Sequence, residues 1–338
     1  MIMLCRARYN LEVQEISLTI DQRQWCERLF DTLLQSNHTV TPLKVEASHR
    51  LFYRIADTRD SYVLMVSPPE LEQNEQFVTM QKVFFTHDIP VPQLIAYDFP
   101  LGLFLMADLG KTDLEQAYAS ADRSLSISTA IDWLHKIQTI DNAPAYTAER
   151  FETELDIFQE WFVDKSLNHT DINMNSVTEP LLDAIVSQPI GCVHRDFHCR
   201  NLLFNDGKLG IVDFQDALIG PALYDLASLL RDCYYVFSET EIDAWLTYYL
   251  STQTPITSAL KTFGETEIRR MLDFTAVQRQ LKAIGIFARL NLRDQKSSHL
   301  QYIDPLLERL IDLTNRYQDL ATLNTQLKSC LSSYRSHK

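Results

Sequence analysis

Two polar motifs that flank a predicted hairpin constrain this chain more than any other part of its sequence. The first begins at His194, ends at Asn201 and reads H-R-D-x-x-x-x-N; the second begins at Asp213 and reads D-F. Between them, residues 202–204 and 209–212 are apolar, and the Asn-Asp-Gly-Lys segment that separates them is typical of a tight turn. Such a hairpin would bring Asn201 close to Asp213.

The order and spacing of these polar groups suit phosphoryl transfer. This reaction needs an acceptor hydroxyl held in line and a metal ion that neutralises charge on the phosphates. Asp196 is predicted to face the hydroxyl and accept its proton. Asn201 and Asp213 would supply the oxygen ligands that Mg²⁺ prefers. The motifs therefore predict a kinase that uses ATP and Mg²⁺, with His194 as a structural residue that braces the loop.

A zinc site is an alternative interpretation of this stretch, because four potential ligands lie close together in it: Cys192, His194, His198 and Cys199. Their spacing matches neither a C-x-x-C pair nor a zinc finger, and no second ligand pair follows. A chance match on a solvated loop is disfavoured, since a loop, a hairpin and an acidic turn follow one another in the right order.

Composition and charge restrict the class of protein. The 338 residues, of which 46% are hydrophobic, suffice for one or two sizeable cores. The net charge of −14 argues against a surface that binds nucleic acid or anionic membranes. Six scattered cysteines suit a reducing cytosol, and residues 1–5 are too short for a signal sequence. No apolar run is long enough to span a bilayer. The cysteine usage predicts a cytoplasmic protein.

Hydrophobic periodicity predicts a strand-rich first third and a mostly helical remainder. Strands are expected at 51–55, 62–66, 94–97 and 103–106. Helices are expected at 21–34, with Asp21 as its cap, and at 72–85, 127–134, 149–163, 226–233, 281–288 and 306–313. This pattern predicts an α+β, two-lobed kinase-like fold. Residues 1–108 would form a small nucleotide-binding lobe with an antiparallel sheet, and residues 109–338 a larger helical lobe for catalysis and substrate binding.

With these motifs the chain resembles the aminoglycoside-phosphotransferase-like kinases, the small-molecule branch of the protein-kinase fold. A closer resemblance is to the sugar 1-kinases of cell-wall recycling, which phosphorylate the anomeric hydroxyl of N-acetylmuramate and N-acetylglucosamine. It is carried by the segments 47–50, 62–65 with Pro68-Pro69, 211–217, 220–221 with 224–232, and 278–287. The resemblance implies ATP-dependent phosphorylation of a small amino sugar at its C1 hydroxyl.

The resemblance also implies where the nucleotide would bind. No glycine precedes Gly102, so a glycine-rich phosphate loop is missing, and the nearest substitutes are Ser48, Arg50 and Arg54. An alternative is that these arginines are solvated hairpin charges. The segment 106–109 resembles the hinge whose backbone meets adenine, and Met106 and Asp108 in it are predicted cofactor contacts.

For the sugar, the resemblance points to Gln215, Asp216, Arg231 and Arg279. A carboxylate on N-acetylmuramate would favour a cation, which Arg231 or Arg279 could supply, although either is also compatible with a structural role. Asp225 resembles the acidic residue that anchors the catalytic loop from the next helix. A favourable charge at a helix N-terminus would explain Asp225 equally well.

Two other functions stay open at this point. One is a kinase of a different small alcohol, such as an aminoglycoside, choline or an amino-alcohol, because the acidic chain permits a pocket for cations. The other is a catalytically dead binding module with a kinase fold. Met65 in place of the usual strand lysine favours the dead module, whereas the intact Asp196, Asn201 and Asp213 oppose it.

Overall fold

The computed structural model describes residues 18–34, 38–43, 49–120, 122–169, 172–174 and 178–336. The chain divides into two compact units, one made of residues up to 85 together with 90–110, the other of residues 86–89 and 111–338. In the part of the chain that the structure describes, no helix is long and apolar enough to cross a membrane.

The first unit contains a five-stranded antiparallel sheet with strand order β1-β2-β3-β5-β4. Side chains alternate between its faces, so Leu64 packs with Phe30 in one core cluster while Phe104 meets Phe77 on the other side. The elements are α1 (Ile20–Leu33), β1 (Thr39–Leu43), β2 (Leu51–Ala56), β3 (Ser61–Val66), α2 (Asn74–Thr86), β4 (Leu94–Asp98) and β5 (Leu103–Ala107).

The start of α1 differs from the sequence-based expectation. Thr19 caps this helix, because its side chain accepts the Gln22 amide at 3.3 Å while the Gln22 side chain accepts the Thr19 amide at 3.0 Å. This reciprocal capping box satisfies two amides that a helix start leaves open. The prediction of Asp21 as the cap was wrong; Asp21 lies in the first turn, where its charge favours the helix dipole.

The second unit is mostly helical and carries two small antiparallel sheets, β6 with β9 and β7 with β8. Together the two units confirm the predicted α+β class, with a small sheet-containing part and a larger helical part. The elements are α3 (Leu114–Ala117), α4 (Arg123–Ile137), α5 (Ala148–Ile157), a π-helix (Phe158–Ser166), α6 (Glu179–Val186), β6 (Ile190–Val193), β7 (Leu202–Asn205), β8 (Lys208–Ile211), β9 (Leu218–Pro221), α7 (Tyr224–Leu230), α8 (Glu239–Ser251), α9 (Pro255–Lys261), α10 (Glu265–Asp294), α11 (Ile303–Thr314) and α12 (Ala321–Ser336).

Helix α10 is the central element of the second unit. Its 30 residues bury side chains around much of the helix, which is typical of a helix enclosed by others. At Gly285 the helix comes so close to the end of α5 that an added Cβ would lie 2.6 Å from the Ile157 carbonyl oxygen and from the Phe158 amide nitrogen. The π-helix begins at this contact, so the missing side chain of Gly285 permits the approach.

Gly285→Ala is expected to lower stability by about 1–3 kcal/mol, because the new methyl group forces the backbones apart. In an exposed helix the same change would be stabilising by about 1 kcal/mol. The shift in the midpoint of thermal unfolding shows directly whether Gly285→Ala destabilises or stabilises the protein. Gly264→Ala is the control for backbone strain alone, since φ there is +80° and no atom lies within 4 Å of the added Cβ. A Gly285→Ala protein that is as stable as wild type would contradict the close packing.

Candidate active site

The spacing of the two sequence motifs has a simple structural basis in the β7–β8 hairpin. Leu202 pairs with Ile211, and the turn residues Asp206 and Gly207 have φ values of +50° and +73°. Two consecutive positive φ angles are those of the tight turn that matches the twist of a hairpin. The predicted hairpin is confirmed, and it returns the chain to Asn201, whose carbonyl accepts the Val212 amide at 3.1 Å.

Asn201 joins the two predicted catalytic segments. Its side-chain Nδ2 donates to the backbone carbonyl of Asp196 at 3.0 Å and to Oδ2 of Asp213 at 3.4 Å. Gln215 donates from Nε2 to the other carboxylate oxygen of Asp213 at 2.7 Å. The loop therefore places the Asn201 side-chain amide beside the Asp213 carboxylate, and amide and carboxylate oxygens are ligands that suit a hard cation such as Mg²⁺.

His194 is fully buried and braces this loop from inside. Its Nε2–H donates to the Val212 carbonyl at 3.0 Å, and its Nδ1 accepts the Asp196 amide at 3.3 Å. Burial lowers the pKa of His194 to about 4, which leaves the ring neutral at physiological pH. The ring thereby ties the segment before Asp196 to the strand end before Asp213.

The thiols beside the loop are poor metal ligands in this setting. Burial is the main cause that raises the pKa of both Cys192 and Cys199 above the ordinary range, which opposes the thiolate form that zinc binds. Across the described ranges, no group of three or more His, Cys, Asp or Glu residues is arranged to hold a metal ion.

The backbone of the loop is held in an uncommon conformation. Arg195 has a φ of +79° and Asp213 a φ of +64°, in the left-handed region that costs free energy for residues other than glycine. The Asp225 carboxylate accepts the amides of His194 at 2.6 Å and Arg195 at 2.9 Å. Burial raises the pKa of Asp225 to about 7, although the two loop amides oppose that rise.

A buried carboxylate, Glu154, holds the Arg195 side chain. It accepts hydrogen bonds from Arg195 Nη2 at 2.6 Å, Lys282 Nζ at 2.8 Å and the Tyr146 hydroxyl at 2.5 Å. Burial acts to raise the pKa of Glu154, but the charges of Lys282 and Arg195 outweigh it and lower the pKa overall. Glu154 is therefore ionised and fixes two cations beside the loop.

Asp196 is half-buried within reach of this positive charge. Burial acts to raise its pKa, but the positive charge of Lys282, followed by that of His198 and Arg279, lowers the pKa of Asp196 to about 2. Asp213 is more open, yet partial desolvation and the negative charge of Asp196 raise its pKa. The negative charge of Asp196 therefore increases the affinity of Asp213 for positive charge, whether a proton or a metal cation.

The two arginines predicted for the sugar have different surroundings. Arg231 is ion-paired with Glu239 at 2.7 Å and Asp273 at 2.8 Å. Arg279 donates from Nη2 to the Arg195 carbonyl at 3.0 Å, its guanidinium lies 5.0 Å from a tyrosine ring centre, and none of the described carboxylates forms an ion pair with it. The half-buried Arg279 therefore contacts the loop that contains Asp196, whereas Arg231 is neutralised by two carboxylates.

The other predicted sugar residue is Asp216, which is exposed. Its backbone carbonyl accepts Arg195 Nη1 at 3.2 Å, which places it beside the same loop. The sequence reasoning did not assign roles to Glu154 and Lys282. Lys282 lies three residues after Arg279, and this spacing was a usable signal because residues at i and i+3 share a helix face. No sequence signal indicated a role for Glu154.

In the first unit, Arg50 is buried rather than solvated. Its Nε donates to Ser67 Oγ at 3.2 Å and lies 3.4 Å from Glu72, and its guanidinium is 5.4 Å from the ring centre of Phe77. Ser48, the other predicted phosphate contact, lies outside the described residues. The nucleotide roles of both residues stay predictions.

The hinge-like segment is fixed by an ion pair within the first unit. Arg54 donates to the Asp108 carboxylate from Nε at 2.6 Å and from Nη2 at 2.9 Å, and Ser61 Oγ donates to the same carboxylate at 2.5 Å. Met106 is buried in β5 opposite Val63. The side chains of Met106 and Asp108 therefore make contacts within the first unit, and any nucleotide contact would come from the backbone of this segment.

His194 predicts a specific pH dependence of stability. Its pKa of about 4 in the fold lies below the unfolded value of 6.5, so its contribution is present above pH 6.5 and lost as pH falls towards 4. The difference in unfolding free energy between wild type and His194→Gln should therefore grow with rising pH across this window, by about 3 kcal/mol in total. Urea unfolding at several pH values measures it. A difference that is constant with pH would contradict a buried neutral ring.

The sequence is similar to a known enzyme family and to two named sugar kinases. Residues 39–262 match the sequence profile of the phosphotransferase enzyme family. A protein of Pseudomonas putida named N-acetylmuramate/N-acetylglucosamine kinase is 30% identical over 316 residues, which cover 88% of this chain and 92% of that protein. A protein of the same name from Neisseria meningitidis serogroup B is 31% identical over 320 residues, covering 90% and 93%.

Solved structures of small-molecule kinases share the fold. Choline kinase LicA from Streptococcus pneumoniae matches with a TM-score of 0.60 at 14% identity, covering 88% of this chain and 100% of that one. ADP-bound aminoglycoside phosphotransferase APH(2'')-Ib matches with a TM-score of 0.54 at 15% identity, covering 84% and 96%. The predicted kinase-like fold is confirmed.

Proposed function

The chain belongs to the phosphotransferase enzyme family, and from this we propose that it transfers the γ-phosphate of ATP to the anomeric hydroxyl of N-acetylmuramate or N-acetylglucosamine. Its class, a small-molecule kinase, follows from the family. The choice of acceptor is supported by the names of the two relatives, which match this chain over nearly its whole length. ATP as phosphate donor is consistent with the family and with the ADP-bound structure that shares the fold.

The observation that carries this proposal is the position of the Asn201 side chain. It joins the backbone of Asp196 to the carboxylate of Asp213, so a proton acceptor and two oxygen ligands share one loop. Phosphoryl transfer needs this combination more than it needs covalent chemistry from the protein.

The proposed step assigns a separate role to each residue. The sugar hydroxyl oxygen forms a bond to the γ-phosphorus, the bond to the bridging oxygen of ADP breaks, and the hydroxyl proton passes to Asp196. Because the pKa of Asp196 is about 2, this carboxylate mainly orients the hydroxyl and receives its proton late, when the new bond is nearly formed. Asn201 and Asp213 would hold Mg²⁺, which neutralises charge on the phosphates when bound.

Nucleotide binding is proposed for the backbone of Met106 and Asp108, with Ser48 and Arg50 near the phosphates. Arg50 already contacts Glu72, so a phosphate there would share its guanidinium with that carboxylate. Met65 is fully buried in β3 beside Phe104 and acts as a core residue in place of the usual lysine.

Asp196→Asn is expected to reduce turnover by about 10²–10⁴-fold while the protein stays folded, because the amide cannot accept the proton. Phosphorus NMR with ATP, Mg²⁺ and each sugar measures the product. The matched control is Asp206→Asn in the exposed hairpin turn, where asparagine tolerates the positive φ. Turnover that survives in Asp196→Asn would remove the assigned role.

The same NMR experiment separates the possible acceptors. A new phosphate signal coupled to an anomeric proton supports the sugar 1-kinase. Phosphorylation of choline or an aminoglycoside instead would keep the kinase and reject the sugar. Folded protein that converts no acceptor on the panel would indicate a binding module without catalysis.

Arg279 is proposed as the partner of the acceptor's carboxylate, since it faces the loop without an ion-paired carboxylate among the described residues. Arg279→Ala should lower kcat/KM for N-acetylmuramate about 10- to 100-fold more than for N-acetylglucosamine, which has no carboxylate. Arg231→Ala is the matched control, because this arginine is held by Glu239 and Asp273 and should not alter the ratio between sugars. An equal effect of Arg279→Ala on both sugars would contradict this role.

A further inference from the structure

Helix α7 presents a carboxylate to the catalytic loop at each of its ends. Asp225, in the first turn, accepts the amides of His194 and Arg195. Asp232 lies two residues beyond the last residue of α7, is 1% exposed, and accepts the Cys199 amide with Oδ2 at 2.8 Å. Its other oxygen accepts the Tyr234 amide at 2.8 Å. The loop is thus held at two points, one on each side of Asp196.

The backbone around Asp232 is held in place by side chains of helices α10 and α11. Arg309 of α11 donates from Nη1 to the Asp232 carbonyl and from Nη2 to the Cys233 carbonyl, both at 3.0 Å. Gln280 of α10 donates from Nε2 to the Arg231 carbonyl at 2.7 Å. These side chains satisfy the carbonyls at and beyond the end of α7, which a helix leaves open. Hydrogen bonds from two other helices therefore hold the backbone on which Asp232 lies.

The two anchors act on different parts of the loop. Asp225 binds the segment that leads into Asp196. Asp232 binds Cys199, the first residue of the short 3₁₀ turn Cys199–Asn201, in which the Asn201 amide donates to the His198 carbonyl at 3.0 Å. Because Asn201 is the third residue of that turn, a shift of Cys199 moves its side chain away from Asp213.

We propose that Asp232 is a positioning residue for metal binding: it fixes the turn that presents Asn201, while Asp225 fixes the segment that presents Asp196. The inference rests on the proposed function in one respect, the role of Asn201 as a metal ligand. The residue that positions the metal ligand and the residue that positions the proton acceptor would thus lie at opposite ends of one helix. A metal ligand whose support is loosened typically loses affinity by about 10- to 100-fold.

Asp232→Asn tests the division, because asparagine has the same shape but only one oxygen and cannot accept both the Cys199 and Tyr234 amides. Binding of Mn²⁺ in the presence of ADP, followed by electron paramagnetic resonance, gives the readout without any sugar. Asp232→Asn should weaken Mn²⁺ binding about 10- to 100-fold. Asp225→Asn should instead lower turnover and leave Mn²⁺ affinity close to wild type.

The matched control is Asp273→Asn, which alters a carboxylate equally buried at 1% exposure but bonded to Arg231, Arg269 and Tyr317 rather than to loop amides. It should lower thermal stability without changing Mn²⁺ affinity. Arg309→Gln is a milder second variant, since glutamine can reach only one of the two carbonyls. It should weaken Mn²⁺ binding in the same direction even if Asp232→Asn folds poorly.

Three results would overturn the inference. The first is unchanged Mn²⁺ affinity in folded Asp232→Asn and Arg309→Gln. The second is a loss of Mn²⁺ affinity in Asp273→Asn as large as that in Asp232→Asn. The third is a wild-type protein that binds no Mn²⁺ in the presence of ADP. Wild-type protein that binds Mn²⁺ with ADP but phosphorylates neither sugar would reject the proposed acceptor and leave the positioning role of Asp232 standing.

Discussion

The pair of hydrogen bonds from the His194 and Arg195 amides to the buried carboxylate of Asp225 is the constraint on which the loop of residues 194–201 depends. The loop has no strand or helix partner for these amides, and a buried amide without an acceptor costs free energy. A carboxylate that accepts both amides also offsets the strain of the positive φ at Arg195. The position of Asp196 follows from this backbone geometry rather than from contacts of its own side chain.

Cations compensate the ionised carboxylates around the loop. Lys282 lowers the pKa of both Glu154 and Asp196, together with Arg195 and Arg279, whereas burial raises the pKa of Asp225 to about 7. Each buried charge therefore has a compensating neighbour, and the removal of one partner would leave another uncompensated. Asp213 differs from these groups, because it is exposed and its pKa is raised by partial desolvation and by the negative charge of Asp196.

The parts of the molecule that sequence could predict are those determined by local pattern. The β7–β8 hairpin follows from apolar runs around a turn, and strands β2 to β5 and helices α1, α2, α4 and α11 follow from periodicity. Strand β1 and helices α8 and α12 were not predicted, and only residues 281–288 of α10 were. Strands β6 and β9 escaped prediction because their pairing joins Gly191 to Gly220 across the intervening loop. Glu154 and Asp232 escaped assignment for the same reason: their partners lie 41 and 33 positions away, so only the fold reveals what they hold.

The family profile ends at residue 262, yet α10 and α11 begin after it and supply Lys282, Arg279, Gln280 and Arg309. The segment by which the family is recognised is therefore smaller than the segment that completes the catalytic loop. A recombination event near residue 262 would transfer the motif without its electrostatic support. A substitution in α10 or α11 that removes one of these side chains would therefore disturb the loop as well as the packing of the helix that carries it.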